Sequence, residues 1–534
     1  MYDILIKNGL IVDGSGAPAF RGDIAVCDGT VAKIAPSIDG EAKEVIDASG
    51  LQVTPGFIDS HSHSDSRVFR EGGSGSYNYL LQGVTTQVAG QCGSSVAPYY
   101  KETAHKYEIP PEKQAYWEEN SVTPAAFMKA AEKVHHGTNV AYFIGHSAIR
   151  GKVQGYTDAL ATKEQMAEMQ FYVTDAMEAG YLGVSTGLVY APSVYARTEE
   201  LIELMKAAAP YGGTYVSHIR GEGDNCLRAV KEAIRIGEES GCPVFISHIK
   251  VTAKHNEGLS VKLLEEIDAA NARGVITHAD QYPYTAGSAP LSSQIPPKYL
   301  LGGSAVWLER IKDKEIRKQI LHSIFNEVEE FESGIYAAGF EGSLIIGAKK
   351  TPEWQNKTLT EIANMIGCEP VDALCEVLLA NDGIAQGVYF NQNASDMIRM
   401  MAHPKVFCGS DTSDHNQIYD PETPGGGHPR SMGTMVRRLE LVRDFRLRTM
   451  EESIKNLTWD TAQALKLPEQ GLLKEGWDAN ICVLDYDRLH ATADYQHPKR
   501  RNVGIHHVLV NGVVALRNGE PTDTRSGKVI KRAK

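Results

Sequence analysis

Several kinds of feature are missing from this chain of 534 residues, and each absence argues against a class of function. No stretch approaches 18 consecutive apolar residues, so we expect no membrane-spanning helix and no membrane partner. The start, Met1–Gly9, lacks the basic and apolar regions of a signal peptide. Basic runs are as short as Lys499–Arg501 and the net charge is -13, so nucleic acid is not an expected partner.

Cysteine is present but shows no pattern. The eight cysteines are scattered, with no CxxC pair and no dense framework, which suits a reducing compartment, and we therefore expect the cytoplasm. A composition with 42% hydrophobic and 23% charged residues is ordinary for a globular protein, and the length allows one large domain plus a smaller one. The sequence leaves the oligomeric state open.

Both ends of the chain have the same sequence pattern, which predicts short strands separated by turns. Residues 1 to about 52 are too few to close a core alone, and the stretch from about 471 contains the hairpin turn Asn511-Gly512. We infer that the two ends, residues 1–53 and 466–534, fold together into one small β-sandwich domain.

The middle of the chain, residues 54–465, alternates apolar runs with amphipathic helical segments, as a parallel α/β fold does. The eight runs are Val53–Asp59, Val84–Gly90, Asn139–Gly145, Leu182–Thr186, Thr214–Ser217, Pro243–Ser247, Val275–Tyr282 and Lys405–Gly409. Several helical segments begin at a residue suited to an N-cap, among them Asn225. Eight units predict a (β/α)8 TIM-like barrel. The long interval before the eighth run predicts an inserted helical subdomain at about 290–345.

Two histidines follow the first run. His61 and His63 are spaced i, i+2, so in an extended chain both imidazoles point to the same face and could hold one metal ion. The alternative is a surface strand with two solvated histidines. The choice depends on whether matching groups recur after the other runs.

Such groups do recur, at the strand ends that meet on one face of a barrel. They are Cys92 after the second run, His218 after the fifth, His248 after the sixth and Asp411 after the eighth. One cysteine and several histidines form a nitrogen and sulfur ligand set that suits zinc. We expect His146, His278 and Asp280 to support the site or to be structural.

Motifs along nearly the whole chain resemble the amidohydrolase superfamily and, within it, the D-aminoacylase (N-acyl-D-amino-acid deacylase) branch. The motifs are Leu5–Gly9 with Val12–Gly14, Thr54–His63, Gln91–Gly93, Gly145–Ser147, Gly187–Pro192, His218–Arg220, Ser247–Lys250, Asp280–Tyr284, Gly409–Asp411 and His428–Thr434. The wider superfamily often uses a carboxylated lysine at the end of strand 4, and residues 183–190 contain no lysine. Cys92 and Lys250 are unusual in the wider superfamily and favour the D-aminoacylase branch.

The resemblance implies a mechanism and a metal site. It implies one well-occupied Zn²⁺ on Cys92, His218 and His248, and a second, weaker metal position faced by His61 and His63. It also implies that Asp411 is the catalytic acid/base, which takes a proton from the attacking water and passes it to the leaving nitrogen.

Substrate contacts come partly from spacing and partly from the resemblance. Lys250 lies two residues after His248, so both share a strand face, and its ammonium could meet the free carboxylate of an N-acyl amino acid. The alternative for Lys250 is a salt bridge at the barrel rim. The resemblance implies Tyr282 and Arg430 as further partners of that carboxylate, and Ser288 is a weaker candidate.

The expected reaction is zinc-dependent hydrolysis of the amide bond of N-acyl-D-amino acids, a small-molecule substrate class. Residues 281–297 contain no Lys or Arg, which favours a neutral or hydrophobic substrate side chain. The D-stereochemistry is implied by the resemblance alone. One alternative is a cyclic amide hydrolase of the dihydroorotase or hydantoinase kind, and another is a non-catalytic barrel that acts as a scaffold.

Overall fold

A computed structural model describes residues 1–69, 73–100, 107, 109, 111–119, 122–415, 417, 420, 422 and 425–533. All the residues predicted to form the site lie within these ranges. None of the helices in the described ranges combines the length and the apolar character needed to cross a membrane.

Eight parallel strands form a barrel, which confirms the predicted fold class. In chain order, barrel strands 1 to 8 are Phe57–Asp59, Val84–Ala89, Asn139–Tyr142 continued by Ile144–Gly145, Gly183–Gly187, Thr214–His218, Val244–Ile246, Thr277–Gln281 and Val406–Cys408. Strands 8 and 1 are joined by hydrogen bonds from Ser60 N–H to the Cys408 carbonyl and from Asp411 N–H to the His61 carbonyl. Buried side chains such as Phe245 and Phe407 form one apolar cluster inside the barrel.

The first apolar run divides between two sheets. The sequence predicts one strand over Val53–Asp59, but Gln52–Pro55 pairs with the strands of the chain termini and only Phe57–Asp59 enters the barrel. Gly56 lies at the division, where a β-carbon would be 2.2 Å from the Thr85 side chain. The prediction of a single strand is therefore wrong, because residues 52–55 pair with Ile481–Leu484 instead of with barrel strand 2. The close approach to Thr85 explains why the residue at the division is glycine.

Helices surround the barrel. They are Tyr77–Leu80, Pro111–Glu119, Pro124–Ala131, His146–Val153, Lys163–Ala179, Thr198–Ala208, Cys226–Ser240, Ser260–Ala272, Ala394–Met401, Arg430–Asp444, Met450–Leu457 and Trp459–Ala464. Thr162 forms an N-cap, in a capping box with Gln165. The predicted cap at Asn225 is wrong: its side-chain amide donates to the Val328 carbonyl at 2.9 Å, and the Glu332 carboxylate accepts its backbone N–H.

The two ends of the chain share one nine-stranded sheet. Its strands are Tyr2–Ile11, Phe20–Cys27, Thr30–Ala35, Ala42–Asp47, Gln52–Pro55, Ile481–Leu484, Ile505–Val510, Val513–Arg517 and Glu520–Pro521. Ile6 and Ile24 from one end and Ile481 and Leu509 from the other belong to one buried cluster. Strands from both termini thus build a single small domain, and the limits 1–53 and 466–534 remain our proposal for it.

The segment between barrel strands 7 and 8 carries its own core. Its helices are Ser304–Arg310, Lys314–Asn326, Gly334–Ala338, Leu359–Ile366 and Pro370–Ala380, and its strands are Gly287–Pro290, Ser343–Gly347, Lys357–Thr358 and Gln386–Tyr389. The four strands form a separate sheet, which the expectation of a helical subdomain does not include. Buried residues from Leu291 to Tyr389 form one apolar cluster. We call residues 287–389 the inserted segment; the narrower range 290–345 remains a prediction.

Candidate active site

The five predicted metal ligands come together at the ends of barrel strands 1, 2, 5 and 6. Cys92 Sγ lies 3.3 Å from His61 Nε2 and 3.4 Å from His248 Nε2. The rings of His218 and His248 are 4.4 Å apart, and those of His61 and His63 are 5.4 Å apart. His63 is half-buried and the other four are buried. The strand-end argument therefore identified residues that are neighbours in space.

These side chains form two clusters that share Cys92. One contains Cys92, His218 and His248, and the other contains His61, His63, Cys92 and Asp411; in each, the potential ligand atoms lie within 4.8 Å of one another. His218 Nδ1 is buried and has no hydrogen-bond partner among the described residues, although buried polar atoms normally have one. An orphaned nitrogen within a Cys and His donor set fits a bound metal ion.

The backbone at three of the site residues adopts a rarely populated conformation. Cys92, His248 and Asp411 have φ values of 53°, 35° and 52°, in the left-handed region that side chains other than glycine seldom occupy. Each such residue costs of order 1–3 kcal/mol, and strain of this kind is concentrated at functional sites. The fold holds these three side chains in place against their local preference.

The charges near Cys92 favour a thiolate. Burial raises the pKa of the Cys92 thiol, but the charges of His61 and His248 outweigh burial and hold the pKa well below its usual value. A thiolate is the form in which cysteine binds metals.

Asp411 is held as a carboxylate. Burial raises its pKa, but Arg430, with Nη1 2.8 Å from Asp411 Oδ2, and a hydrogen bond from His63 at 3.0 Å bring the pKa well below its usual value. The pKa of Glu222 is lowered in a similar way: burial raises it, and Lys250 and the neighbouring histidines outweigh burial. The site therefore contains ionised carboxylates that are each matched by a cation.

Three of the four predicted substrate-binding residues line one cavity of about 680 Å³, a volume that includes the open space at its mouth. Lys250, Tyr282 and Ser288 line it, together with His218, His248 and Asp411. Arg430 lies behind this wall, with its guanidinium carbon 4.8 Å from the Tyr282 ring centre and Nη2 3.4 Å from the Ser288 carbonyl. The lining combines charged and polar side chains with an aromatic ring, as sites for small molecules do.

Lys250 has an internal partner that the sequence reasoning missed. Its Nζ lies 2.6 Å from Glu222 Oε1, so the salt bridge weighed as an alternative is present, at the cavity wall. Tyr190 was also missed as a site residue, although its motif was recognised; it lines the cavity with its ring 4.9 Å from that of His218. The signal for Glu222 was its position four residues after His218, immediately beyond a strand end.

The three residues expected to be supporting differ in their positions. Asp280 lies at the site: it accepts the His248 N–H, and its Oδ2 is 3.4 Å from His61 Nδ1. His146 lies outside the cavity lining, with Nδ1 2.7 Å from Ser193 Oγ. His278 packs beside Phe407, with ring centres 5.3 Å apart. Asp280 thus contacts two of the predicted ligands, whereas the two histidines lie outside the cavity lining.

Known proteins resemble this chain over nearly its whole length. Residues 44–516 match the amidohydrolase family. The chain is 32% identical to a D-aminoacylase of Alcaligenes xylosoxydans xylosoxydans over 99% of this chain and 98% of that one, and 30% identical to an N-acyl-D-aspartate deacylase of the same organism over 99% and 95%. A crystal structure of an N-acyl-D-glutamate deacylase from Bordetella bronchiseptica, complexed with zinc and a phosphonate mimic of the tetrahedral intermediate, superposes with a TM-score of 0.80 at 30% identity, covering 99% of both chains.

The fold and the site define a metal-dependent hydrolase of amide bonds. The chain belongs to the amidohydrolase family.

Proposed function

We propose that this enzyme hydrolyses N-acyl-D-amino acids to a carboxylate and a free D-amino acid, with zinc as its metal. The observation that carries the proposal is one cavity lined by His218 and His248 of the cluster with Cys92, by an ionised Asp411 and by a buried cation, Lys250. The relatives named above act on N-acyl-D-amino acids by name, which supports the same substrate class here.

Cys92, His218 and His248 would hold the well-occupied zinc, and His61 and His63 would face a second, weaker position. Zinc bound there supplies a Lewis acid that polarises the amide carbonyl and lowers the pKa of a water molecule. Asp411 takes the proton of the attacking water at its carboxylate and then delivers it to the leaving nitrogen, because an amine leaves readily only once protonated. Arg430 keeps Asp411 ionised and therefore ready to accept that proton.

The free carboxylate of the substrate would bind near Lys250, Arg430 and Tyr282, with Ser288 as a weaker contact. The cavity lining from residue 287 to residue 391 contains no Lys or Arg, and its one carboxylate is that of Glu332, which favours substrates with a neutral or hydrophobic side chain. Its residues include Ser293, Gln294, Ser333, Tyr389 and Asn391. The cytoplasm is the proposed compartment, because all eight cysteines lie in described parts of the chain and are free thiols.

A substrate screen tests this function. The zinc-loaded protein is assayed against N-acetyl-D- and N-acetyl-L-amino acids with neutral, hydrophobic and acidic side chains, and amine release is measured. We expect hydrolysis of D-substrates with neutral side chains, and loss of activity when a chelator removes the metal. Hydrolysis of dihydroorotate or a hydantoin instead would favour the cyclic amide hydrolase.

The variant Asp411→Asn tests the assigned base. Because a positioned general base contributes roughly 10²- to 10⁴-fold, we expect turnover to fall by at least that range while the zinc content stays unchanged. Near-normal turnover in this variant would contradict the role of Asp411. Finding neither metal nor hydrolysis in the wild type would favour the scaffold.

A further inference from the structure

Glu222 has one oxygen that faces three functional groups. Its Oε1 lies 2.6 Å from Lys250 Nζ, 3.2 Å from His248 Nδ1 and 3.6 Å from His218 Nε2. The side chain is 21% exposed and lines the cavity. A single carboxylate therefore lies between the proposed metal ligands and the proposed substrate-binding lysine.

The two nitrogens of His248 face opposite ways. Nε2 faces Cys92 Sγ at 3.4 Å, while Nδ1 lies 2.6 Å from Lys250 Nζ and 3.2 Å from Glu222 Oε1. A histidine that binds a metal through one nitrogen normally donates its other N–H to a carboxylate or carbonyl, which fixes the orientation of the ring. Lys250 can donate to Nδ1 only while Nδ1 carries no proton. When Nε2 binds a metal, Nδ1 carries the proton, and an ammonium group has donors only, so of these two neighbours only Glu222 can then accept that N–H.

The backbone that carries Glu222 is held by the inserted segment. Glu332 Oε2 accepts the N–H groups of Glu222 and Gly223 at 2.8 and 2.9 Å, and its other oxygen accepts the N–H of Asn225. These bonds involve main-chain groups of the loop. A substitution of the Glu222 side chain therefore leaves the loop attached.

We propose that Glu222 is a positioning residue that orients His248 toward the metal and, through the same oxygen, fixes the ammonium of Lys250 at the cavity wall. The assignments of His248 and Lys250 rest on the proposed function. The role of Glu222 toward His248 predicts an effect on metal binding that needs no substrate.

Zinc affinity measured in four proteins tests this proposal. Full-length wild type, Glu222→Ala, Lys250→Met and the double variant are stripped of metal, and their zinc dissociation constants are determined by competition with a chromophoric chelator. Removing the carboxylate partner of a metal-binding histidine typically costs 10- to 100-fold in affinity. We expect a loss of about that size on Glu222→Ala, both in the wild-type background and in the Lys250→Met background.

The Lys250→Met background separates the two contacts of Glu222. If the loss disappears in that background, Glu222 acts on the metal site only through its ion pair with Lys250, and the role toward His248 is wrong. Wild-type zinc affinity in Glu222→Ala, or a wild type that binds no zinc, would also overturn the proposal.

A matched control and a second measurement guard against a general effect on folding. Glu232 forms an ion pair with Arg220 at 3.0 Å outside the cavity lining, so Glu232→Gln should keep wild-type zinc affinity. With Co²⁺ in place of zinc, Glu222→Ala should shift the visible absorption spectrum while its melting temperature stays near that of Glu232→Gln. An unchanged cobalt spectrum would contradict the assigned contact with His248.

The outcome for Glu222 is separate from the outcome for the proposed function. A wild type that binds zinc, loses affinity on Glu222→Ala and hydrolyses no N-acyl-D-amino acid would refute the substrate class and keep the positioning role. Hydrolysis of these substrates with unchanged zinc affinity in Glu222→Ala would support the substrate class and refute the positioning role.

Discussion

The two sides of the active site differ in how their polar groups are satisfied. On the metal side, the Cys92 thiolate and the histidines crowd together, and His218 Nδ1 has no partner among the described residues. On the substrate side, each cation has an internal carboxylate: Lys250 has Glu222, and Arg430 has Asp411. The metal side therefore contains a ligand nitrogen with no hydrogen-bond partner in the described part of the chain, whereas the cations of the substrate side are already paired with carboxylates.

This difference bears on substrate choice. Lys250 and Arg430 are each already paired with a carboxylate, so an incoming substrate carboxylate must share one of them with its existing partner, and Glu332 adds a further carboxylate to the cavity lining. A second carboxylate on the substrate would find no further lysine or arginine among the residues lining the described cavity. A buried charge without a partner is costly, which supports the proposal of a neutral substrate side chain.

The variant Cys92→Ala should have the largest effect on the metal side. Cys92 belongs to both ligand clusters, so its removal takes a thiolate from each. We expect the purified variant to retain little zinc by metal analysis and to lose turnover by at least about 10³-fold, since metal binding of this kind depends on every ligand. Full zinc content in the variant would show that the histidines suffice.

On the substrate side, Arg430→Gln should have the next largest effect. The change removes the cation beside Asp411 and beside the Tyr282 ring. We expect kcat/KM to fall by roughly 100-fold, or about 2.7 kcal/mol, with zinc content unchanged. Loss of zinc from Arg430→Gln would contradict the division of the site into a metal side and a substrate side, because a change on one side would then affect the other.

Much of the fold follows from the order of apolar runs. Eight runs with helices between them indicate the barrel, because parallel strands buried on both faces are almost continuously apolar. The division at Gly56 did not follow, since the contact with Thr85 arises only once strands 1 and 2 pair. The small sheet of the inserted segment was also missed, because strands as short as Lys357–Thr358 have no readable periodicity.

The metal side was easier to predict than the substrate side for a physical reason. Strand ends converge in a barrel, so ligand types at corresponding ends identify a cluster from sequence alone. The pairing of Lys250 with Glu222 spans 28 residues and depends on where a loop turns after strand 5. Spacing suggested Lys250 as a substrate contact and the resemblance suggested Arg430. A salt bridge of Lys250 was weighed as an alternative without a named partner, and nothing in the sequence indicated that Asp411 holds Arg430.

The variant His61→Asn tests whether the two metal positions are unequally occupied. His61 belongs to the cluster with His63 and Asp411, and it is absent from the cluster of Cys92 with His218 and His248. We therefore expect the variant to keep one zinc per chain and to lose about tenfold in activity, the lower end of the cost of disturbing groups around a metal. The matched variant His218→Asn should lose that zinc; equal zinc content in both variants would contradict two unequal positions.

Ser288→Ala should have the smallest effect. Arg430 contacts the carbonyl of Ser288 and not its hydroxyl, and that carbonyl survives the substitution. A single hydrogen bond to the substrate carboxylate would be worth roughly 1.5–3 kcal/mol, or more than tenfold in KM. We expect KM for an N-acetyl-D-amino acid to change by less than about threefold, because Lys250 and Arg430 supply the stronger, charged contacts. A tenfold rise in KM at unchanged kcat would instead show that the Ser288 hydroxyl binds the substrate. Substrate binding would then depend less on Lys250 and Arg430 than we propose.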